Sequence, residues 1–527
     1  MSGAHPFDDS PPEPIPPAEF RTETPATEVD YVLVPGFHKD DEGGQFEIGN
    51  DDFAEAVLDA LPPGTLYRME REVGRLEGAD GSKVFRPVTE VALRLLIDAN
   101  VRLCAWVRYV NRKTLEEYQK LSYRPCTKDL AGLVLCAAAT HPGTRALKIL
   151  VSYPVYLPGL ALAQPGWNDA GVYYDEPPSL VGVKPNPVGA LDVLDDLVSD
   201  FPFEDEASRQ NLYAAMLTMV ARPAIEGPTP FFFVMASMER TGKGKLLDTT
   251  IGCAIRGIQI PPMQIGRDEA EAEKRITSQI LAGTSVVHMD NLPVGDVIDS
   301  ASLASLATAY PLWAGRKLGG STIVELPNRL VVLMSANNPK ATGELVKRTV
   351  PIVLQPKSDH PELREDFKHP NCYDYAKERR PAVLSALLGI VELGKKPGHF
   401  PVRMGGFEAW STIVTRSLRA AGAEQVLGNY VAWCRKADDQ NADIEHLVEK
   451  WALLYSGSER SASQILELAE ACGIFPGVFA KPTQQGKLMA LSKQVLTPLT
   501  NRPVRGWIVS RSESGSNSTF HLRRALP

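Results

Sequence analysis

The stretch FFFVMASMERTGKGKLLDTT, Phe231 to Thr250, decides how the chain is read. Six apolar residues, Phe231–Ala236, run without alternation, as in a parallel strand buried on both faces. A polar turn carrying Gly242-Lys243 follows, and Gly244–Ile255 then reads as an amphipathic helix. Strand, tight turn and helix in that order aim backbone N–H groups and a helix N-terminus at one point, an arrangement suited to anionic oxygens. The usual pattern is G-x-x-x-x-G-K-[ST]. Aligned on Gly242-Lys243, the loop comprises Ser237, Met238, Glu239, Arg240, Thr241, Gly242, Lys243 and Gly244, with Lys245 just beyond. It departs from the pattern at both ends. Ser237 replaces the first glycine, a modest change if its φ stays negative. Gly244 removes the hydroxyl that helps hold Mg²⁺, leaving Thr241 or a water as the substitute.

Alone, this stretch fits an ordinary strand-loop-helix equally well, and the sequence downstream decides between the readings. SVVHMDNLP is an apolar strand ending in Asp290, where a carboxylate can hold the water shell of a metal. RLVVLMSANNP is a second such strand, ending in Asn337-Asn338, and an amide there can orient an attacking water. ELVKRTVPIVL then sets Lys347-Arg348 before another strand, where an arginine can reach a neighbouring copy's nucleotide. Each element singly is compatible with a structural role. Together, in this order and spacing, they read as a nucleotide-binding site with a carboxylate placed for Mg²⁺. His288, within the apolar run, reads as a core histidine.

The succession of phosphate loop, VVHMDN, a hairpin, VLMSANN and VKR resembles the superfamily 3 helicases of the AAA+ class. The nearest likeness is to the helicase half of poxvirus-type primase-helicases of phages and plasmids. It covers about residues 155–400. The resemblance implies a hexameric ring with ATP between subunits, a single DNA strand in the pore, and forked DNA and a primase or replisome protein as partners. By position it assigns Lys243 to phosphate, Asp290 to Mg²⁺, Asn337 to sensing and Arg348 to the role of arginine finger. Asn338 and Lys347 are the neighbouring alternatives for the last two. The hairpin GRKLGGSTIVELPNR falls where such proteins carry a basic pore residue, so Arg316 and Lys317 become candidate DNA contacts. Asn291 departs from the family, many of whose members have a second acid there. An amide orients water without taking its proton, so binding is better supported than turnover, unless Asp296 or Asp299 approaches. An ATP-binding replication initiator or loader that unwinds nothing is the alternative to a helicase.

The rest of the chain gives the setting. At 527 residues, 44% hydrophobic and 23% charged, it has the composition of a multidomain soluble protein. No apolar run reaches the roughly 18 residues that span a bilayer. The acidic, Pro-rich start lacks the pattern of a signal peptide, so no membrane partner is expected. The cytoplasm of a bacterium or phage-infected host is the default location. The seven cysteines form no C-x-x-C pair, which gives no support to a zinc module. Charge is uneven. Residues 1–60 carry fifteen acids against two bases, whereas 481–527 carry eight bases against Glu513 alone.

The expected organisation follows from these patterns. Residues 1–30 form a disordered acidic tail and 31–155 an α+β region of unassigned role. Residues 156–400 form an α/β, three-layer AAA+-like ATPase core with a helical lead-in, and 401–455 a helical connector. Residues 456–527 read as a winged helix-turn-helix, from two helices followed by a basic ribbon. There Lys487 and Lys493 lie on the second helix, and Arg505, Arg511, Arg523 and Arg524 on or beside the ribbon. These are candidate phosphate contacts, which position DNA without reading its sequence.

Overall fold

The structure is a computed structural model. It describes residues 31–39, 44–69, 72–111, 114–115, 117–265, 268–290, 297–298, 300–318, 323–337, 340–341, 344–356, 364–455, 458–501, 503–514 and 517–524. Asn291, Asp296, Asp299, Asn338 and the tail 1–30 lie outside this set.

Five parallel strands form the central sheet: β1 (Phe231–Ala236), β2 (Pro262–Met263), β3 (Val286–Met289), β4 (Val331–Asn337) and β5 (Thr349–Leu354). Their order across the sheet is β2-β3-β4-β1-β5. All six residues of β1 are buried, because helices cover both faces. Alternate residues point to opposite faces. Phe232, Val234 and Ala236 meet helices Glu206–Ala221, Lys243–Arg256 and Cys372–Lys395 on one side. Phe231, Phe233 and Met235 meet helices Glu269–Leu281 and Ala301–Thr308 on the other, with Trp313 and Leu326 from an antiparallel pair, Leu312–Arg316 and Ile323–Pro327.

Helix Glu206–Ala221 is buried nearly all round, so its polar side chains need partners. Asp205 caps it by accepting from Ser208 N at 2.7 Å, and Asn211 Nδ2 donates to Pro351 O on β5 at 2.8 Å. Trp410 closes this side of the core. Fully buried, it packs edge-on against Phe232 and donates from Nε1 to Thr218 Oγ1 at 2.8 Å. Trp410→Ala is expected to destabilise the sheet domain by about 3–5 kcal/mol, as large cavities do. The melting transition should fall by roughly 10 °C. A shift of under about 2 °C in a thermal scan would contradict this packing.

The chain divides into two compact units. The first comprises the described parts of Met1–Thr65 and Val88–Gly143, and the second Leu66–Pro87 and Thr144–Pro527. The first contains helices Asn50–Ala60, Glu90–Asn100 and Lys128–Ala138 and a three-stranded sheet with Arg102–Val110 at its centre. Phe53, Leu93, Ile97 and Leu103 are fully buried within it. The hairpin Tyr67–Met69 and Glu72–Glu77, whose sequence alternates as a strand pair does, belongs to the second unit.

Beyond the central sheet, helix Tyr430–Tyr455 links two cores. Near its start Trp433 donates to Thr349 Oγ1 at 3.0 Å, and near its end Leu447, Val448 and Trp451 join the C-terminal core. That core lies between helices Ala462–Ala471 and Gln484–Leu491, the latter running on to Leu499, and a four-stranded antiparallel sheet. The sheet is built on the ribbon Trp507–Ser514 and Asn517–Arg524. Among the described residues, no helix is long and apolar enough to cross a membrane.

Candidate functional site

Parallel α/β sheets place ligands at the carboxyl ends of their strands, where the strand order reverses. Here β1 ends in the loop that leads to Lys243, β3 ends just before Asp290, and β4, between them, ends at Asn337. Register ends β1 level with β4 and β3 three residues short of them, which sets Asp290 beside Ser335. Ala236 pairs with Asn337, and Met289 with Met334, one residue before Ser335. Period-2 alternation sets Ser335 and Asn337 on β4 on the same face as His288 and Asp290 beside them, the face covered by the helix that opens at Lys243.

The loop turns through two left-handed residues, Arg240 at φ 57° and Gly242 at φ 89°. At Gly242 the dihedral and not crowding favours glycine: an added Cβ would meet only Phe201 carbons, at 3.8 Å or beyond. Thr241 is buried, and its hydroxyl donates to Met238 O at 2.7 Å. Ser237 Oγ donates to Gln355 Oε1 at 3.3 Å, and Lys245 lies over the Phe367 ring.

The Lys243 ammonium donates to Asn337 Oδ1, bridging the helix start and the end of β4. Half-buried, it is depressed below the ordinary lysine value by burial, with Asp290 and Glu239 pulling the other way. A cation so placed, bonded to a neutral amide, is suited to a polyanion that would restore the solvation it has lost. Asp290 accepts from the Ser335 hydroxyl, and its backbone N–H donates to Met263 O at 3.1 Å. His288 Nε2 lies 2.9 Å from Ser335 Oγ and 3.9 Å from Asp290 Oδ1. Burial lowers the pKa of His288, against the raising effects of Asp290 and Asp248.

Among the described residues, no group of three or more His, Cys, Asp or Glu side chains is placed to hold a metal by itself. A donor set with one carboxylate fits Mg²⁺, which is commonly held by one or two carboxylates together with substrate phosphates.

The remaining candidates lie elsewhere. Arg348 is at the opposite edge of the sheet. Its carbonyl accepts from Phe231 N at 2.9 Å, at the start of β1, and its guanidinium donates to Ala304 O. The length of β1, about 17 Å at the usual rise, separates that edge from the loop. Lys347 O accepts from Tyr430 OH at 2.8 Å. Arg316 is exposed on the hairpin, and Lys317 Nζ pairs with Glu72 at 2.7 Å.

In the C-terminal part, Arg505 pairs with Glu445 at 2.7 Å and with Glu449 at 3.5 Å. Lys487 lies over the Phe479 ring, 3.9 Å from Glu470. Arg523 donates to Ser510 Oγ at 2.9 Å, and Arg524 covers Trp507. Lys493 lies on the run from Gln484 to Leu499, and Arg511 on the ribbon.

Sequence reasoning missed Ser335 and His288 as site residues. The available signal was their even spacing from Asn337 and Asp290, which places each on its partner's side of the strand.

No model of a known protein family matches the sequence, and no curated protein is significantly similar to it. Among solved structures, the chain is similar to the A-form apo structure of the NrS-1 C-terminal region. Identity is 13% and the TM-score 0.31, over 79% of this chain and 96% of that one. A likeness of that strength adds nothing to the reading of the site, which rests on its own geometry.

Proposed function

We propose that the protein is an ATP-dependent, ring-forming DNA helicase acting in the replication of a phage or other mobile genetic element, with an AAA+-like core of the superfamily 3 kind. One observation carries the reading: the Lys243 ammonium meets Asn337 at the carboxyl edge of a parallel sheet, one strand from Asp290. In this account Lys243 takes β- and γ-phosphate oxygens, the loop N–H groups and helix start cradle them, and Asn337 orients the attacking water. Mg²⁺, held through Asp290 and the phosphates, supplies charge neutralisation when bound. Arg348, at the far edge, is assigned to the triphosphate of an adjoining copy, so the active form is an oligomer, a hexamer by the family resemblance. Arg316 and Lys317 would face single-stranded DNA in the pore. The C-terminal helices and ribbon support a winged-helix module that holds forked DNA by its backbone.

The experiment is an ATPase assay with and without single-stranded DNA, paired with sedimentation in Mg²⁺ and a non-hydrolysable ATP analogue. DNA-stimulated turnover and a nucleotide-dependent ring are expected. Arg348→Ala should lower turnover about 10³-fold, as loss of an arginine finger does, while each chain still binds ATP. Monomers under every condition would contradict the proposal.

A second reading, an ATP-binding initiator or loader, is favoured by Gly244, which brings no hydroxyl to the site. Single-turnover hydrolysis separates the two. Assembly on DNA without phosphate release supports the loader.

A further inference from the structure

We propose that Ser335, held from behind by His288, is a positioning residue that braces the Asp290 carboxylate in place of the hydroxyl that position 244 lacks. The inference rests on reading the site as one for Mg²⁺ and a nucleoside triphosphate.

A serine or threonine at 244 would present its hydroxyl beside the metal-holding aspartate. Gly244 presents none, and the space where its Cβ would stand faces His288 Cε1 at 3.9 Å. The Thr241 hydroxyl does not take its place, because it donates to Met238 O. The hydroxyl that does reach Asp290 comes from another element, β4, where Ser335 donates to Asp290 Oδ1.

The donor sequence follows from proton counting. A serine hydroxyl has one hydrogen, and Ser335 gives it to Asp290 Oδ1. The contact with His288 must therefore run from ring to hydroxyl, with Nε2–H donating across 2.9 Å. This fixes the tautomer of His288 and forms a directed chain, His288 to Ser335 to Asp290.

Burial sets the direction in which the chain acts. His288 is 3% exposed and Ser335 0%, whereas the Asp290 side chain is 40% exposed. The anchored end is in the core and the carboxylate is at the surface of the site. Ser335 is closed to solvent, so it acts on a cation only by holding Asp290. Partners that orient a metal-holding group contribute about 10- to 100-fold in metal affinity.

The test is a Mg²⁺ titration of fluorescent ATP-analogue binding to the full chain, with the metal-free analogue measured alongside. Ser335→Ala is expected to raise the Mg²⁺ requirement about 10- to 100-fold while leaving metal-free binding near wild type. Gly244→Ser, whose Cβ would meet only ordinary contact, should recover most of the loss when added to Ser335→Ala. A general structural role would weaken binding equally with and without Mg²⁺, and Gly244→Ser would not correct it. Either result overturns the proposal, as does an unchanged Mg²⁺ requirement. Should Ser335→Ala fail to fold, the near-isosteric Ser335→Cys, a weak donor, carries the same expectation. If the wild-type chain binds no nucleotide at all, the underlying site reading is at fault.

Discussion

Lys243→Ala is expected to lower ATP affinity roughly 30- to 150-fold, the equivalent of about 2–3 kcal/mol for lost hydrogen bonding to a charged group. The ammonium sits half-buried at the meeting of β1, β4 and the following helix, where screening by water is reduced. It donates to Asn337, so removing it also leaves that amide without its partner. The lysine gives the binding a pH signature. Burial sets its value in the free protein below 10.5, and a bound triphosphate pulls it upward. Above the free value, binding must therefore take up a proton. Affinity should be level near neutral pH and fall as pH rises through that depressed value. Calorimetric titration in buffers of different ionisation enthalpy measures both effects. A Lys243→Ala chain that binds ATP as tightly as wild type, with the same alkaline fall, would remove the lysine from the site.

Asp290→Asn should have the opposite profile, keeping nucleotide and losing chemistry. The amide preserves the shape and can still accept from Ser335, but it has no charge to offer a metal's water shell. Phosphoryl transfer depends on positioning and electrostatic stabilisation, and losing one such contribution in an enclosed site typically costs about 10²–10³ in rate. Single-turnover phosphate release should fall by that factor, and Mg²⁺ should no longer strengthen ATP binding. Retention of the wild-type Mg²⁺ response would place the metal on another residue.

How far such a site can be read from sequence depends on strand burial. β1, β3 and β4 stand out because parallel strands covered on both faces are continuous apolar runs, and a polar residue ending such a run marks the sheet edge. Asp290 and Asn337 follow from this signal, and Lys243 from the Gly-Lys turn after β1. The same property hid Ser335 and His288. With apolar residues on both faces, a lone polar side chain resembles a tolerated core residue unless its even spacing from Asn337 or Asp290 is weighed.

Strand order was unreadable for a different reason. Parallel neighbours are joined by long crossovers, so nothing local says that β4 inserts between β1 and β3. β2 is two residues, Pro262–Met263, too short to leave a pattern. A helical connector is expected over 401–455, but that helix Tyr430–Tyr455 runs unbroken through RKADDQNADIEH, a polar stretch with no apolar stripe, rests on the contacts at its two ends. The hairpin at Tyr67–Glu77 joins the second unit through tertiary pairing with Arg145–Ala146, which nothing local in the sequence shows.

The most direct test is a structure of the full chain with Mg²⁺ and a non-hydrolysable ATP analogue. The account predicts the γ-phosphate within hydrogen-bonding reach of both Lys243 Nζ and Asn337, with the metal between the phosphates and Asp290. A nucleotide bound anywhere else, with the Lys243–Asn337 contact undisturbed, would contradict it.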